Sequence, residues 1–200
     1  QATDQDFFFI LGDGMEVLDH VIESLRLYEG GCGRRELWRR LSESPNILVP
    51  PVDIKDGRLV RGLRIGRSLD LNGPYPVHSA WMTERGAFGK TLLLELQRGC
   101  ARSCSYCTLP RCFGSMRWRK FEIVERALDE ITSRFEVPQA GLVTPEAGDY
   151  PFLPQLIDKL INKNIGVSFA SLRLDRLSEQ MISALSGSGR RSITVAPETG

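Results

Sequence analysis

Long apolar runs are missing from this 200-residue sequence. Nothing in it approaches the roughly 20 apolar residues of a membrane-spanning helix. The longest apolar stretch near the start, Phe7–Leu11, has the length of a strand and reads as a buried one. A basic-then-apolar leader is missing too. So is an excess of one charge sign: 26 Lys and Arg face 25 Asp and Glu, for a net charge of +1. No global field therefore points to nucleic acid or to an anionic membrane surface. No internal repeat or low-complexity tract interrupts the chain, and histidine is limited to His20 and His78. What remains is the composition of an ordinary globular protein, 42% hydrophobic and 26% charged, read as cytoplasmic and held in a reducing compartment.

Cysteine is sparse but concentrated. Of the five, Cys100, Cys104, Cys107 and Cys112 fall close together, and Cys32 stands apart. Disulfide frameworks distribute cysteines so as to close loops. A tight group in a cytosolic chain points instead to metal or cluster binding.

The organisation follows from periodicity. The strand at Phe7–Leu11 leads through Gly12-Asp13-Gly14 into a helix with Leu18, Val21, Ile22 and Leu25 on one face, ended by Gly30-Gly31. A short second helix carries Leu37, Trp38 and Leu41. Residues 46–90 read as a proline-rich linker. In it, apolar arms at 47–54 and 59–65 flank the hairpin signal Asp56-Gly57. From residue 91 the pattern is regular. Strands are expected at 91–96, 140–144, 167–171 and 192–196, and amphipathic helices at 121–135, from Leu153 to Ile161, and from Ser178 to Leu185. Alternating strands and helices predict right-handed βα units on a parallel sheet, with chemistry in the loops that follow the strands. The expected fold class is therefore α/β. Residues 1–45 form the end of a Rossmann-like domain, 46–90 the linker, and 91–200 the first four βα units of a TIM-like barrel. The abrupt start at Gln1 and the stop after the fourth strand read as a fragment of a longer protein.

The cysteine loop immediately follows the first barrel strand, in the segment Gln97-Arg98-Gly99-Cys100-Ala101-Arg102-Ser103-Cys104-Ser105-Tyr106-Cys107. Three thiolates on one compact loop suit a four-iron cluster with one iron left open, and Arg98 and Arg102 offer charge to offset it. Zinc would need a fourth ligand from His20, His78, Cys32 or Cys112, and the paired short spacings of structural zinc sites do not occur. A four-cysteine cluster using Cys112, and three merely buried thiols, are the other readings.

Cys-x-x-x-Cys-x-x-Cys after the first strand of a βα barrel resembles the radical S-adenosylmethionine (radical SAM) superfamily. The match continues through Gly141–Tyr150, Ser171–Asp175 and Ala196–Gly200. Those segments are similar to the branch with an N-terminal cobalamin-binding-type domain. The resemblance implies that Cys100, Cys104 and Cys107 bind a 4Fe-4S cluster whose fourth iron chelates S-adenosylmethionine. One electron from the cluster then yields a 5′-deoxyadenosyl radical that abstracts hydrogen from substrate, in some members for methyl transfer. It implies an external electron donor such as flavodoxin or ferredoxin. It also implies cofactor contacts from Tyr106 near the adenine, from Ser171 and Arg173 toward the methionine carboxylate, and from Glu198 toward the ribose. Glu146 of Thr144-Pro145-Glu146 stands where the branch carries Gly-Gly-Glu. The cobalamin anchor Asp-x-His-x-x-Gly does not occur here, so cobalamin stays open. No catalytic residue is assigned. The alternatives are a methylthiotransferase-like radical SAM enzyme on RNA or protein, and a non-catalytic iron–sulfur electron-transfer or structural domain.

The remaining polar residues carry less. Arg111, Arg117, Arg119 and Lys120 read as a solvated loop face. His20 lies off its helix's apolar stripe and reads as solvent-facing. His78 sits in the linker, Cys32 reads as a free thiol, and Cys112 as a neighbour of the cysteine loop. Gly12-Asp13-Gly14 reads as a plain strand-to-helix turn.

Overall fold

The computed structural model of the chain describes residues 7–67, 70–73, 76–102, 104–189, 192–193 and 195. They divide into two compact units: Gln1–Leu69 with Ser103–Gly114, and Asp70–Arg102 with Ser115–Gly200.

In the first unit, β1 (Phe9–Ile10) pairs antiparallel with β2 (Ile47–Leu48), Ile10 opposite Ile47. Phe7, Phe9 and Ile10 are all exposed, so the expectation of a buried strand at the start is corrected: a two-residue ladder offers little to cover its outer side chains. A short 3₁₀ turn leads into α1 (Leu18–Glu29), and α2 (Arg34–Leu41) packs on it. Val17, Val21, Leu37, Leu41, Ile47 and Val49 form the small core. Leu18, Ile22 and Leu25, expected on the buried stripe with Val21, stay largely exposed. His20 is half-buried rather than solvent-facing, because its Nε2 reaches the Arg40 carbonyl at 2.9 Å and ties α1 to the end of α2. Pro50 and Pro51 open a single helical turn, α3 (Pro50–Asp53), where an extended arm was expected. A fixed φ suits a first helical turn and removes a ladder donor. The hairpin therefore shrinks to β3 (Ile54–Lys55) and β4 (Arg58–Leu59). Asp56 and Gly57 both take positive φ, as a two-residue hairpin turn of this kind requires. The unit also contains α4 (Leu109–Phe113).

The second unit is built on a parallel sheet in the order β5 (Thr91–Glu95), β8 (Gln139–Val143), β9 (Gly166–Phe169). Leu93, Gly141 and Ser168 share one register row. Helices α5 (Phe121–Arg134) and α6 (Leu153–Asn162) make the crossovers, and α7 (Glu179–Gly187) follows β9. Leu92, Leu94, Leu96, Ala140, Leu142 and Val167 meet Val124, Leu128, Leu156, Ile157 and Leu160 in the main core. Each fully buried Leu or Ile there contributes roughly 1.5–3 kcal/mol. Ile161 falls outside this stripe and is half exposed. Ser178 caps α7 by accepting the Met181 N–H at 3.3 Å. Lys159 bridges Glu125 and Asp129, locking α6 to α5. Residues 77–79 join the edge of β5, with His78 bridged antiparallel to Leu94, so His78 belongs to this sheet. The short strands β6 (Gln97–Arg98) and β7 (Arg117–Trp118) form an antiparallel pair just past β5. Of the strand expected at 192–196, residues 192, 193 and 195 are described and are not in a strand; 194 and 196 lie outside the described residues. Among the described residues no helix is long and apolar enough to cross a membrane.

Candidate functional site

The parallel sheet delivers three loops at the C-terminal ends of β5, β8 and β9. After Glu95 the chain turns through β6. The β6–β7 ladder, with Arg119 N–H donating to the Leu96 carbonyl at 2.8 Å, brings it back. The cysteines lie along the excursion between these two strands. None of the five cysteines is in a disulfide: Cys100, Cys104 and Cys107 are half-buried, and Cys112 is exposed on α4. Cys107 N–H donates to the Cys104 carbonyl at 3.1 Å, a turn that brings these two positions together. Cys100 belongs to the second compact unit and the Cys104–Cys107 turn to the first. Among the described residues no three His, Cys, Asp or Glu side chains converge into a metal-holding group. Tyr106 is 75% exposed.

The arginines of the loop are committed to carboxylates. Arg98 forks onto Glu95, at 2.5 and 3.0 Å. Arg102 forks onto Asp149 in the loop after β8, and its backbone N–H points to the Cys100 sulfur at 3.4 Å. Asp149, before all else, raises the Arg102 pKa further above its already high value, and the Cys100 sulfur adds to the effect. Arg102 thus shares its charge between a carboxylate and a cysteine.

Arg119 corrects the reading of residues 111–120 as a solvated basic face. It is 0% exposed. Its guanidinium donates to the Leu71 carbonyl, to the Pro76 carbonyl at 3.0 Å and to the Glu95 carboxylate at 2.5 Å, tying Leu71 and Pro76 to the end of β5. The Arg119 carbonyl accepts the Tyr150 hydroxyl at 3.1 Å. Burial, then the Glu122 charge, pushes the Tyr150 pKa well above the usual tyrosine range.

Glu146, which ends the loop segment after β8, is 2% exposed. Its Oε1 accepts the Gly148 N–H at 3.1 Å, while Oε2 has no hydrogen-bond partner among the described residues. Its main chain is held firmly: the Thr144 hydroxyl and the Gln97 amide both donate to its carbonyl, at 3.0 and 2.9 Å. The Gln97 Oε1 is likewise buried without a partner. Each such buried unpaired group costs about 1–3 kcal/mol. Ser171 is half-buried in the loop after β9. Arg173 in the same loop forks onto Asp175, at 3.0 and 3.1 Å. Glu198 lies outside the described residues. Sequence reasoning missed Gln97, Thr144 and Arg119 as framework. Asp149 lies within the Gly141–Tyr150 segment, and the sequence alone assigns it no role. The pairings of Gln97, Arg119 and Asp149 are long-range and no local pattern encodes them, whereas Thr144 pairs two residues along the chain.

No family model matches the chain. It is 32% identical, over 63% of its length, to an uncharacterised protein of Methanocaldococcus jannaschii, MJ0966; the aligned part is 28% of that protein. It is 22% identical, over 89% of its length, to the ribosomal protein uS12 methylthiotransferase RimO of Thermosipho melanesiensis; the aligned part is 45% of that protein. The chain therefore spans less than half the length of the curated relatives it matches. The second similarity is distant and weakly favours membership in an enzyme family.

Proposed function

We propose that the chain is the cluster-binding part of a radical SAM enzyme, a partial βα barrel in which Cys100, Cys104 and Cys107 hold a 4Fe-4S cluster. The observation that carries this reading is the cysteine motif on the excursion that leaves β5, the first strand of a parallel βα sheet. The chemistry of the donor set fits the group: three half-buried cysteines outside any disulfide, with a backbone N–H aimed at the Cys100 sulfur. When bound, the cluster supplies the electron that cleaves S-adenosylmethionine reductively. The protein's own residues bind and orient. Glu146 offers a buried carboxylate oxygen to the methionine ammonium, with Gln97 and Thr144 fixing its backbone. Ser171 and Arg173, the latter oriented by Asp175, face the methionine carboxylate. Tyr106 and Glu198 serve the adenine and the ribose. The electron comes from a flavodoxin- or ferredoxin-type donor.

For the reaction outcome, methyl transfer to an unidentified substrate and methylthiolation of a protein or RNA are the two readings. The similarity to a uS12 methylthiotransferase over 89% of the chain favours the second. It also sets a purely electron-transfer role behind both.

Anaerobic iron and sulfide reconstitution tests the proposal. The expected result is about four irons per chain, lost in Cys104→Ala, with a reduced-cluster spectrum that changes when S-adenosylmethionine is added. Tight stoichiometric zinc without iron uptake overturns it. A cluster that never responds to S-adenosylmethionine, in the full-length protein, leaves the electron-transfer role.

A further inference from the structure

Beside the buried Glu146, the loop edge of the second unit carries a cluster of charges with a distinct layout. The Asp149 carboxylate, 10% exposed, accepts both terminal nitrogens of Arg102, and Arg176 Nε stands 3.6 Å from its Oδ1. One carboxylate thus joins the loops after β5, β8 and β9. The joint is tight. A Cβ on Gly148 would meet the Arg176 Cβ at 2.6 Å and its carbonyl oxygen at 2.9 Å, so only glycine lets the residues beside Asp149 seat against the third loop. Arg102 lies two residues past Cys100, and its N–H reaches the Cys100 sulfur. Holding the Arg102 side chain therefore holds the peptide that faces this sulfur.

We propose that Asp149 is a positioning residue for the cluster. It fixes the Arg102 peptide against Cys100, and by sharing the Arg102 guanidinium it sets how much positive charge falls on that thiolate. This rests on the radical SAM reading above. Cluster potentials follow local charge and hydrogen bonds to sulfur. The two partners therefore act with opposite sign. Asp149→Asn keeps an oxygen acceptor for Arg102 but removes the opposing charge. The full guanidinium charge then favours the reduced, more negative cluster, and the potential rises. Arg102→Gln leaves the Asp149 carboxylate uncompensated, and the potential falls. A residue that merely stabilised the fold would move both variants the same way.

The test is redox titration of the reconstituted full-length protein, followed by electron paramagnetic resonance. The reduced-to-oxidised ratio at a fixed potential is expected to change about tenfold upward in D149N and about tenfold downward in R102Q, about 59 mV each for a one-electron couple. The double variant returns toward wild type. Hydrogen exchange on the iron-free chain is a second readout that needs no cluster. The Arg102 amide is expected to exchange about tenfold faster in both single variants, with the β8 amides unchanged. Wild-type protein that takes up no iron overturns the radical SAM reading, and this inference with it. Wild type that loads fully, with variants of unchanged potential or with Arg102 amide protection unchanged, overturns this inference alone.

Discussion

Replacing Arg119 by Met tests whether the buried guanidinium is a structural clamp. The substitution keeps the aliphatic stem and removes donors to the Leu71 carbonyl, the Pro76 carbonyl and the Glu95 carboxylate. Glu95 keeps Arg98, so it is not stranded, but the two carbonyls lose this charged donor. Breaking one side of a buried ion pair costs about 3–5 kcal/mol. The guanidinium Nε is already unpartnered among the described residues, which subtracts nothing further when it goes. The net expectation is a loss of about 3 kcal/mol, a fall in Tm of roughly 6–12 °C for a chain of this size. Arg119→Lys should recover only part of it, because one ammonium does not match three acceptors arranged around a planar fork. The control is the adjacent, exposed Lys120: Lys120→Met should stay within about 0.5 kcal/mol. Thermal unfolding followed by circular dichroism reads all three. If R119M costs no more than K120M, the guanidinium is not holding Leu71 and Pro76 to the end of β5, and the reasoning from burial is wrong.

Three further outcomes follow from the same geometry. Asp53 is buried and accepts from Val49 N–H and from both sides of the Arg61 fork. Burial raises its pKa, but the Arg61 hydrogen bonds, the Val49 N–H and the Arg61 charge outweigh that and leave it lowered. With the folded value below the unfolded one of about 3.9, this stabilisation is complete above the unfolded value. It is lost as pH falls through the folded value, so denaturation midpoints of wild type and Asp53→Asn should converge in that acid window; parallel curves would refute the assignment. Glu146→Gln keeps an oxygen to accept the Gly148 N–H and removes only the carboxylate charge, so the iron-free chain should change little in stability, while S-adenosylmethionine affinity measured by calorimetry falls about tenfold or more; unchanged affinity removes Glu146 from the site. Gly148→Ala forces a Cβ into Arg176 and should cost about 1–3 kcal/mol in urea unfolding; a neutral result means that the loops separate freely there.

What was legible in the sequence is what short-range physics writes. Parallel strands buried on a helix-covered face show up as apolar runs, so β5, β8 and β9 were visible to within a residue or two, and α5 and α6 by their 3.6 period. The Asp56-Gly57 turn was visible because few residues accept positive φ. The short arms of that hairpin were misjudged, since an apolar stretch through Pro50-Pro51 looks extended until a proline pair starts a helical turn. The exposed Phe9 and Ile10 show the limit of hydropathy: an apolar run states a need for cover, not that the neighbouring residues supply it. His20 was misplaced for a related reason, because lying off an apolar stripe leaves an imidazole free to reach a carbonyl on the next helix.

The site divides along the same line. The cysteine spacing is local and could be read directly. The partners of the arginines around it could not, because Arg102 meets a carboxylate 47 residues away and Arg119 one 24 residues away. Each arginine faces many acidic residues at comparable sequence distance, and only the register of the parallel sheet selects one. That register places the ends of β5 and β8 side by side, Glu95 opposite Val143. The loops that follow then have to satisfy one another's charges. They succeed for Arg98, Arg102 and Arg119, yet leave the buried oxygens Glu146 Oε2 and Gln97 Oε1 unpaired. Arg119 Nε is a further buried polar atom there without a hydrogen-bond partner among the described residues, so the loops pair their charges without satisfying every polar atom.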